Sequence, residues 1–352
     1  MTKIIYSLIL LFLIQSGVNA QKVYTIGTTA DTKDVMKLSY TMRLYEDGKV
    51  KQQIESVSPI CMAMYLRNDQ SNLYVFGQAT INHRYIQMDV LKNNEKLYTL
   101  AVKDGNIRIQ DVCMDHSNVY LLGVATTNEN GGSTSYNIWK NGELLSTIST
   151  NRPDLDVTSV SAICVNQGNI YVAGTVEGKD RTQGRRRQVA VWKNSELTHV
   201  FPEGASNLTE AVDIVVHKDD VYVVGQGILS GYDSNMLVWK NGTLTYTSPE
   251  RSWAVKMIED GGSIYLLGSY PRKPTQLFVL KDFQPLFEIA EKVSCEAYSM
   301  TIHSGDVYIA GGLVKAGETP KLGKVWKNGQ TLYDFKGIGN EKSIWVKDIV
   351  VL

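Results

Sequence analysis

Residues 236–247 read MLVWKNGTLTYT, and residues 324–335 read KVWKNGQTLYDF. Each is an apolar run, then Trp-Lys-Asn-Gly, then a second run of strand-forming residues. Asn-Gly is a preferred centre for a two-residue type I′ hairpin, because both central residues there take positive φ. The stretch therefore reads as two antiparallel strands joined by a tight turn. Relatives of it recur as LYEDG at Tyr45, VLKNN at Leu91, IWKNG at Trp139, VWKNS at Trp192 and VLKDF at Leu280. The chain predicts seven such hairpins.

A second marker precedes each hairpin: VYTIG, LYVFG, VYLLG, IYVAG, VYVVG, IYLLG and VYIAG. Their tyrosines are Tyr24, Tyr74, Tyr120, Tyr171, Tyr222, Tyr265 and Tyr308, separated by 50, 46, 51, 51, 43 and 43 residues. Before the tyrosine lies another β-branched strand and a short polar turn, as in AVDIVVHKDDVY (211–222) and AYSMTIHSGDVY (297–308). Each unit is thus four antiparallel strands. A four-stranded sheet cannot bury both faces alone, whereas a closed ring packs every sheet between two neighbours. The expected fold is all-β, a seven-bladed β-propeller over residues 21–352. The recurrent Tyr and Trp read as packing aromatics between blades. The start at KVYTIG lacks an inner strand and the end, SIWVKDIVVL (343–352), supplies one. The last strand is therefore expected to complete the first blade.

With these motifs the chain resembles seven-bladed propellers, and more narrowly exported bacterial propellers carrying VYVAG…WKNG units. The resemblance spans residues 21–352 and implies a fold, not an activity, since propellers carry many functions. Kelch propellers share a VYxxGG strand, but only Gly311-Gly312 gives that doublet here.

Residues 1–20, MTKIIYSLILLFLIQSGVNA, have a positive start, an apolar stretch and the small-residue ending Val18-Asn19-Ala20. That pattern predicts a secretory signal peptide cleaved near Ala20, and hence a secreted or periplasmic protein without membrane insertion. Lys plus Arg number 36 and Asp plus Glu 36. This balance offers no electrostatic case for nucleic acid as a partner. The expected partner is a glycan, peptide or protein, bound by a monomer that needs no cofactor.

The longer loops, 125–137, 176–188 and 269–276, all fall at one end of the ring, and binding residues concentrate on such loops. Tyr40, Tyr85, Tyr136, Tyr232 and Tyr270 lie outside the repeat in these loops and offer flat apolar bodies with polar tips. Aligning the inner strands by hydrophobic pattern puts Cys61, Ile109, Val160, Ala211, Ala254, Ala297 and Val346 in one packing row. The row before it holds Ile60, Arg108, Ser159, Glu210, Trp253, Glu296 and Trp345. Two positions after the packing row come Ala63, Asp111, Ala162, Asp213, Lys256, Ser299 and Asp348. These two varied rows are expected at the central channel and its mouth. The candidate ligand-binding residues are Arg108, Asp111, Tyr136, Asp213, Tyr232, Trp253, Lys256, Trp345 and Asp348.

Two readings follow. The first is a non-catalytic binding propeller using the long-loop face. The alternative is an extracytoplasmic hydrolase or lyase with Glu210 and Glu296 as acid and base and Asp111, Asp213 and Asp348 deeper in the channel. A glycosidase needs two carboxyls roughly 5–10 Å apart, one with a raised pKa.

The five histidines show no metal-ligand spacing. His217 and His303 are repeat-equivalent and read as turn residues. GQGILSG (225–231) runs into a strand, not a helix, so it lacks the geometry of a phosphate loop. The cluster Arg181, Arg185, Arg186 and Arg187 reads as a solvated loop tip. Cys113 and Cys164 occupy equivalent places in neighbouring blades, one sheet spacing of about 10 Å apart, beyond the ~7 Å that a disulfide spans. Cys61 and Cys295 lie two blades apart, so four buried free thiols are expected.

Overall fold

The structure is a computed structural model and describes residues 21–31, 39–54, 61–69, 72–81, 85–127, 132–180, 182, 186–201, 208–230, 233–314, 322–336 and 341–352. The proposed leader, Tyr232, Ile60, Arg181 and Arg185 lie outside them. Seven four-stranded antiparallel sheets form a ring. From blade 1 to blade 7 the inner strands are Glu341–Val351, Cys61–Asp69, Gly105–Asp115, Leu155–Asn166, Thr209–His217, Trp253–Asp260 and Ser294–His303. Among the described residues no helix is long and apolar enough to cross a membrane.

Closure occurs in blade 1. The last strand, Glu341–Val351, pairs antiparallel with Val23–Asp31, so that one sheet holds the first and last described strands. Lys22 and Leu352 exchange a reciprocal pair of backbone hydrogen bonds of 2.9 Å at its edge.

The hairpin motif has a specific chemistry. At Asn241-Gly242, φ is 49° and 84°, the two positive values of a type I′ turn. The Asn241 side-chain carbonyl accepts from the Val221 N–H at 2.8 Å, while the Asn241 N–H donates to the Val221 carbonyl at 2.9 Å. The same reciprocal clamp holds at Asp47, Asn93, Asn141, Asn194, Asp282 and Asn328, each on the residue just before the motif tyrosine. Asn or Asp is needed there because it tolerates positive φ and carries an acceptor of the right reach. The lysine before it lies across from the tyrosine, its ammonium over the ring at 5.1–5.4 Å in blades 2 to 7. In blade 1 Glu46 takes the lysine's place and Lys51 covers Tyr24 instead, at 4.7 Å.

The motif glycine answers to a β-bulge. Every inner strand holds one extra residue beside the position that pairs with this glycine. Beside the bulge the carbonyl of the residue before the glycine's partner lies close to the glycine in blades 1, 3, 4, 5 and 7, whereas at Gly268 the Phe278 ring does. A Cβ on Gly225 would lie 2.4 Å from the Glu210 carbonyl oxygen and 3.1 Å from the Trp239 ring. Glycine is the residue that fits.

This pairing corrects the hydrophobic alignment in blade 2. Ala63, not Cys61, stands opposite Gly77, and Cys61 pairs with Ala79. The residue facing the motif glycine lies fourteen positions ahead of it in blades 2 to 7, and counting from the glycine sets the register. Met62 therefore replaces Ile60 in the row of Arg108, and Tyr65 replaces Ala63 in the row of Asp111.

Apolar burial falls between blades rather than within them. Seven clusters of buried side chains each draw on two adjacent blades, the closing one joining Val325 and Phe335 of blade 7 to Tyr45 and Val346 of blade 1. Trp192 and Trp326 are the largest fully buried side chains, and the Trp192 indole donates to the Ser149 carbonyl at 2.7 Å. Cys113, Cys164 and Cys295 are free thiols, but Cys113 and Cys164 are half-buried rather than buried, because their strand ends line the channel. The side chain of Cys61 lies outside the description.

Gly225→Ala should lower stability by about 2–3 kcal/mol through its clash with the Glu210 carbonyl beside the bulge. Gly178→Ala, where an added Cβ meets nothing within 4 Å, should be neutral. Urea unfolding midpoints of the two variants check this, and equal midpoints would refute the assigned role of the bulge.

Candidate functional site

Inner strands run from the long-loop end of the ring to the short-turn end, so each row of equivalent residues makes one level of the channel. The middle level is charged. Asp348 of blade 1 accepts from the Leu66 N–H of blade 2 at 2.8 Å. Asp111 of blade 3 accepts from the Ile163 N–H of blade 4 at 3.0 Å. Asp213 of blade 5 accepts from the Met257 N–H of blade 6 at 2.8 Å. These carboxylates occupy alternate blades, and each holds the inner strand of the next. Ser299 of blade 7 donates to Asp348, which ties blade 7 to blade 1.

Two cations sit among them. Arg67 donates to Asp348 and to the Leu66 and Val112 carbonyls at 2.8 and 3.0 Å, and its guanidinium lies 3.6 Å from Asp111. One side chain thus ties blades 1, 2 and 3. The Lys256 ammonium lies 3.1 Å from Asp213. Burial would strip Lys256 of its proton, but the Asp213 and Asp111 carboxylates outweigh it and hold its pKa above the usual value. Burial also pushes the Asp213 carboxyl up, against the pull of Lys256 and with help from Asp111.

This layer separates two cavities. The one at the short-turn end, about 510 Å³, is lined by Cys113, Cys164 and Asp213 among others. The one at the long-loop end, about 440 Å³, lies against blades 1, 2, 3, 6 and 7. Its floor is Arg67, Asp111, Lys256, Ser299 and Asp348. Its walls include Met62, Met64, Tyr65, Ile109, Gln78, Arg108, Gln110, Tyr298 and Lys347. Gln110, Tyr298, Lys347 and Met64 are the bulged residues of their strands, which the bulge turns into the channel. Tyr65 donates to the Gln110 carbonyl at 2.5 Å, and Tyr298 donates to Glu296 at 2.5 Å with the Lys347 ammonium 3.9 Å from its ring centroid. Burial raises the pKa of both phenols.

Of the residues singled out in the sequence, Arg108, Asp111, Lys256 and Asp348 meet around this one cavity. Asp213 belongs to the charged layer but faces the opposite cavity. Trp253, 38% exposed with the Arg251 guanidinium 5.9 Å from its ring, and the half-buried Trp345 line neither. Tyr136 donates to the Thr158 carbonyl at 2.8 Å and borders a separate outer groove with Ser149 and Arg152. Tyr270 is stacked on Phe278, with ring centroids 4.3 Å apart. Glu210 turns outward to an ion pair with Arg187. Tyr65 and Arg67 escaped the alignment, and the fourteen-residue offset from Gly77 is the signal that finds Tyr65. No group of three metal-ligating side chains occurs among the described residues.

No protein-family model and no curated protein matches the chain. Among solved structures it is similar to a prolyl endopeptidase, with 10% identity and a TM-score of 0.50 over 87% of this chain and 49% of the other. It is also similar to the β-propeller domain of the trilobed protease from Pyrococcus furiosus, at 13% identity and a TM-score of 0.46 over 76% and 82% of the two chains. A third is Trypanosoma rangeli sialidase in complex with the inhibitor DANA, at 10% and 0.45 over 77% and 55%. The chain spans about half the length of the prolyl endopeptidase. At these identities the likeness is one of fold alone.

Lys256→Met should destabilise the ring by about 3–5 kcal/mol, the usual cost of stranding a buried partner. The sign of its pH dependence follows from Asp213. With the lysine gone, the folded carboxyl has a pKa above its unfolded value, so the folded state holds the extra proton and stability falls as pH rises through that window. Acidification toward the ordinary carboxylate range should narrow the gap to the wild type in thermal melts. A gap that is constant or widens on acidification would refute the pairing.

Proposed function

We propose that the protein is an exported, non-catalytic binding propeller whose ligand enters the channel cavity at the long-loop end. The observation that carries this reading is the engagement of the acidic side chains. Asp111, Asp213 and Asp348 each hold a backbone N–H of the next blade, and Glu210 is paired with Arg187. A general acid or base must present a free lone pair or proton to a substrate, and these carboxylates serve the ring instead. Arg108, Gln78 and Gln110, by contrast, face the cavity with no side-chain partner among the described residues. They are recognition groups rather than reactive ones. The signal-peptide pattern read in residues 1–20 supports placement outside the cytoplasm.

A second reading rests on one specific contact. The Tyr298 hydroxyl donates to Glu296 at 2.5 Å at the edge of the same cavity. A phenol beside a carboxylate is a nucleophile and base in outline, and it keeps the hydrolase alternative in play with Glu296 rather than Glu210 as its acid/base residue.

The test is a glycan and peptide array probed with the purified protein, with mass analysis of the incubated ligands. Binding without cleavage is expected, and Glu296→Gln should hold affinity within roughly threefold, under 1 kcal/mol. Cleavage products that disappear with Glu296→Gln or Tyr298→Phe would replace the binding reading with the hydrolytic one.

A further inference from the structure

Beside the cavity at the long-loop end lies another of about 370 Å³ between blades 2 and 3, lined by Ile86, Asn106, Arg108, Gln110, Val124 and Thr126. Arg108 and Gln110 line both spaces, so the two adjoin at these side chains. Two adjoining spaces fit several linked residues of a chain better than a single small molecule.

The charges along them are unequal in their freedom. Arg67 is held by Asp348 and Asp111, and Lys256 by Asp213. The Lys347 ammonium lies over the Tyr298 ring. Arg108 is exposed and makes no ion pair or side-chain hydrogen bond among the described residues. Its five N–H donors form a planar fork that matches a carboxylate in bidentate geometry.

The neutral groups beside it narrow the class. A peptide docking by strand addition needs unpaired backbone groups along a sheet edge. Here part of the inner edge is occupied: Tyr65 holds the Gln110 carbonyl in the cavity wall, and Asp348 holds the Leu66 N–H beneath the floor. What remains open is side-chain amide, Gln78 and Gln110, each both donor and acceptor. Sugar hydroxyls are also both donor and acceptor, and Met62, Met64 and Ile109 supply an apolar wall for ring faces.

We infer that the ligand of this site is an acidic oligosaccharide, a chain of uronic-acid type, with one carboxylate on Arg108 and neighbouring sugars extending into the space between blades 2 and 3. This rests on the binding reading above. The probes are tetragalacturonate, an alginate-derived tetramer and a hyaluronan tetrasaccharide, each beside its carboxyl-reduced neutral counterpart, with hexaglutamate as the acidic peptide. Titration calorimetry with the purified protein should show at least one charged tetramer binding tenfold or more tightly than its neutral counterpart and than its own monosaccharide. Arg108→Gln should remove that preference and leave the melting temperature unchanged.

Equal affinity for charged and neutral chains, binding of none of the three polyuronates, or an unaltered preference in Arg108→Gln would overturn the inference. Gln110→Trp, which fills the mouth, separates this failure from that of the binding reading. A neutral glycan or hexaglutamate whose binding is lost in Gln110→Trp would leave a channel-mouth site of a different class. If nothing that binds is affected by Gln110→Trp, both readings fall.

Discussion

Each inner strand carries one extra residue beside the position that faces a glycine, and the rest of this molecule depends on that bulge. Without a Cβ on the partner, the neighbouring carbonyl can approach, and the strand bends about that point. In four blades the extra residue faces the channel, which is how Met64, Gln110, Tyr298 and Lys347 come to line the mouth, while Val212 and Val255 pack between blades. The bulge also sets the register of the next position, so that Asp111, Asp213 and Asp348 fall at one level and reach across to the following blade. Shift the register by one and the buried and channel-facing sets would exchange.

The ring is held by two kinds of contact that answer different needs. Apolar side chains fill the spaces between blades, where non-directional burial supplies most of the stabilisation. Toward the axis the inner strands have no further strand to pair with, and their backbone groups face a narrow polar space. Unpaired backbone groups at such depth are costly. The alternating aspartates meet that need, and Arg67 and Lys256 offset the charge they bring. A cluster that looks like acid/base chemistry in a list of residues is, in three dimensions, the hub of the scaffold. The recognition role proposed above falls to groups this hub does not use, chiefly Arg108 and the glutamines beside it.

Much of the fold was legible because its cause is local. The Asn-Gly turns demand positive φ, the Tyr-Lys pairs sit directly across one hairpin, and both recur from unit to unit. The split blade was visible for the same reason, since the first and last segments each lack what the other has. Blade 2 was misregistered because hydrophobic alternation alone does not distinguish Cys61 from Ala63, whereas the pairing to Gly77 does. The site was partly legible: Arg108, Asp111, Lys256 and Asp348 were found in two rows of variable residues. Tyr136 and Tyr270 were selected for their chemistry, but one is tied to a carbonyl and the other stacked on Phe278, and no local pattern signals that.

By itself, then, the sequence determined the blade, its number of copies and the manner of closure, because turn chemistry and strand periodicity act within a few tens of residues. Only the tertiary structure decided which side chains share the channel and which of them are already engaged. Those contacts join Arg67 to Asp348 and Asp111 to Ile163 across blade boundaries, and which charges are neutralised and which stay free depends on distances that no repeat spacing encodes.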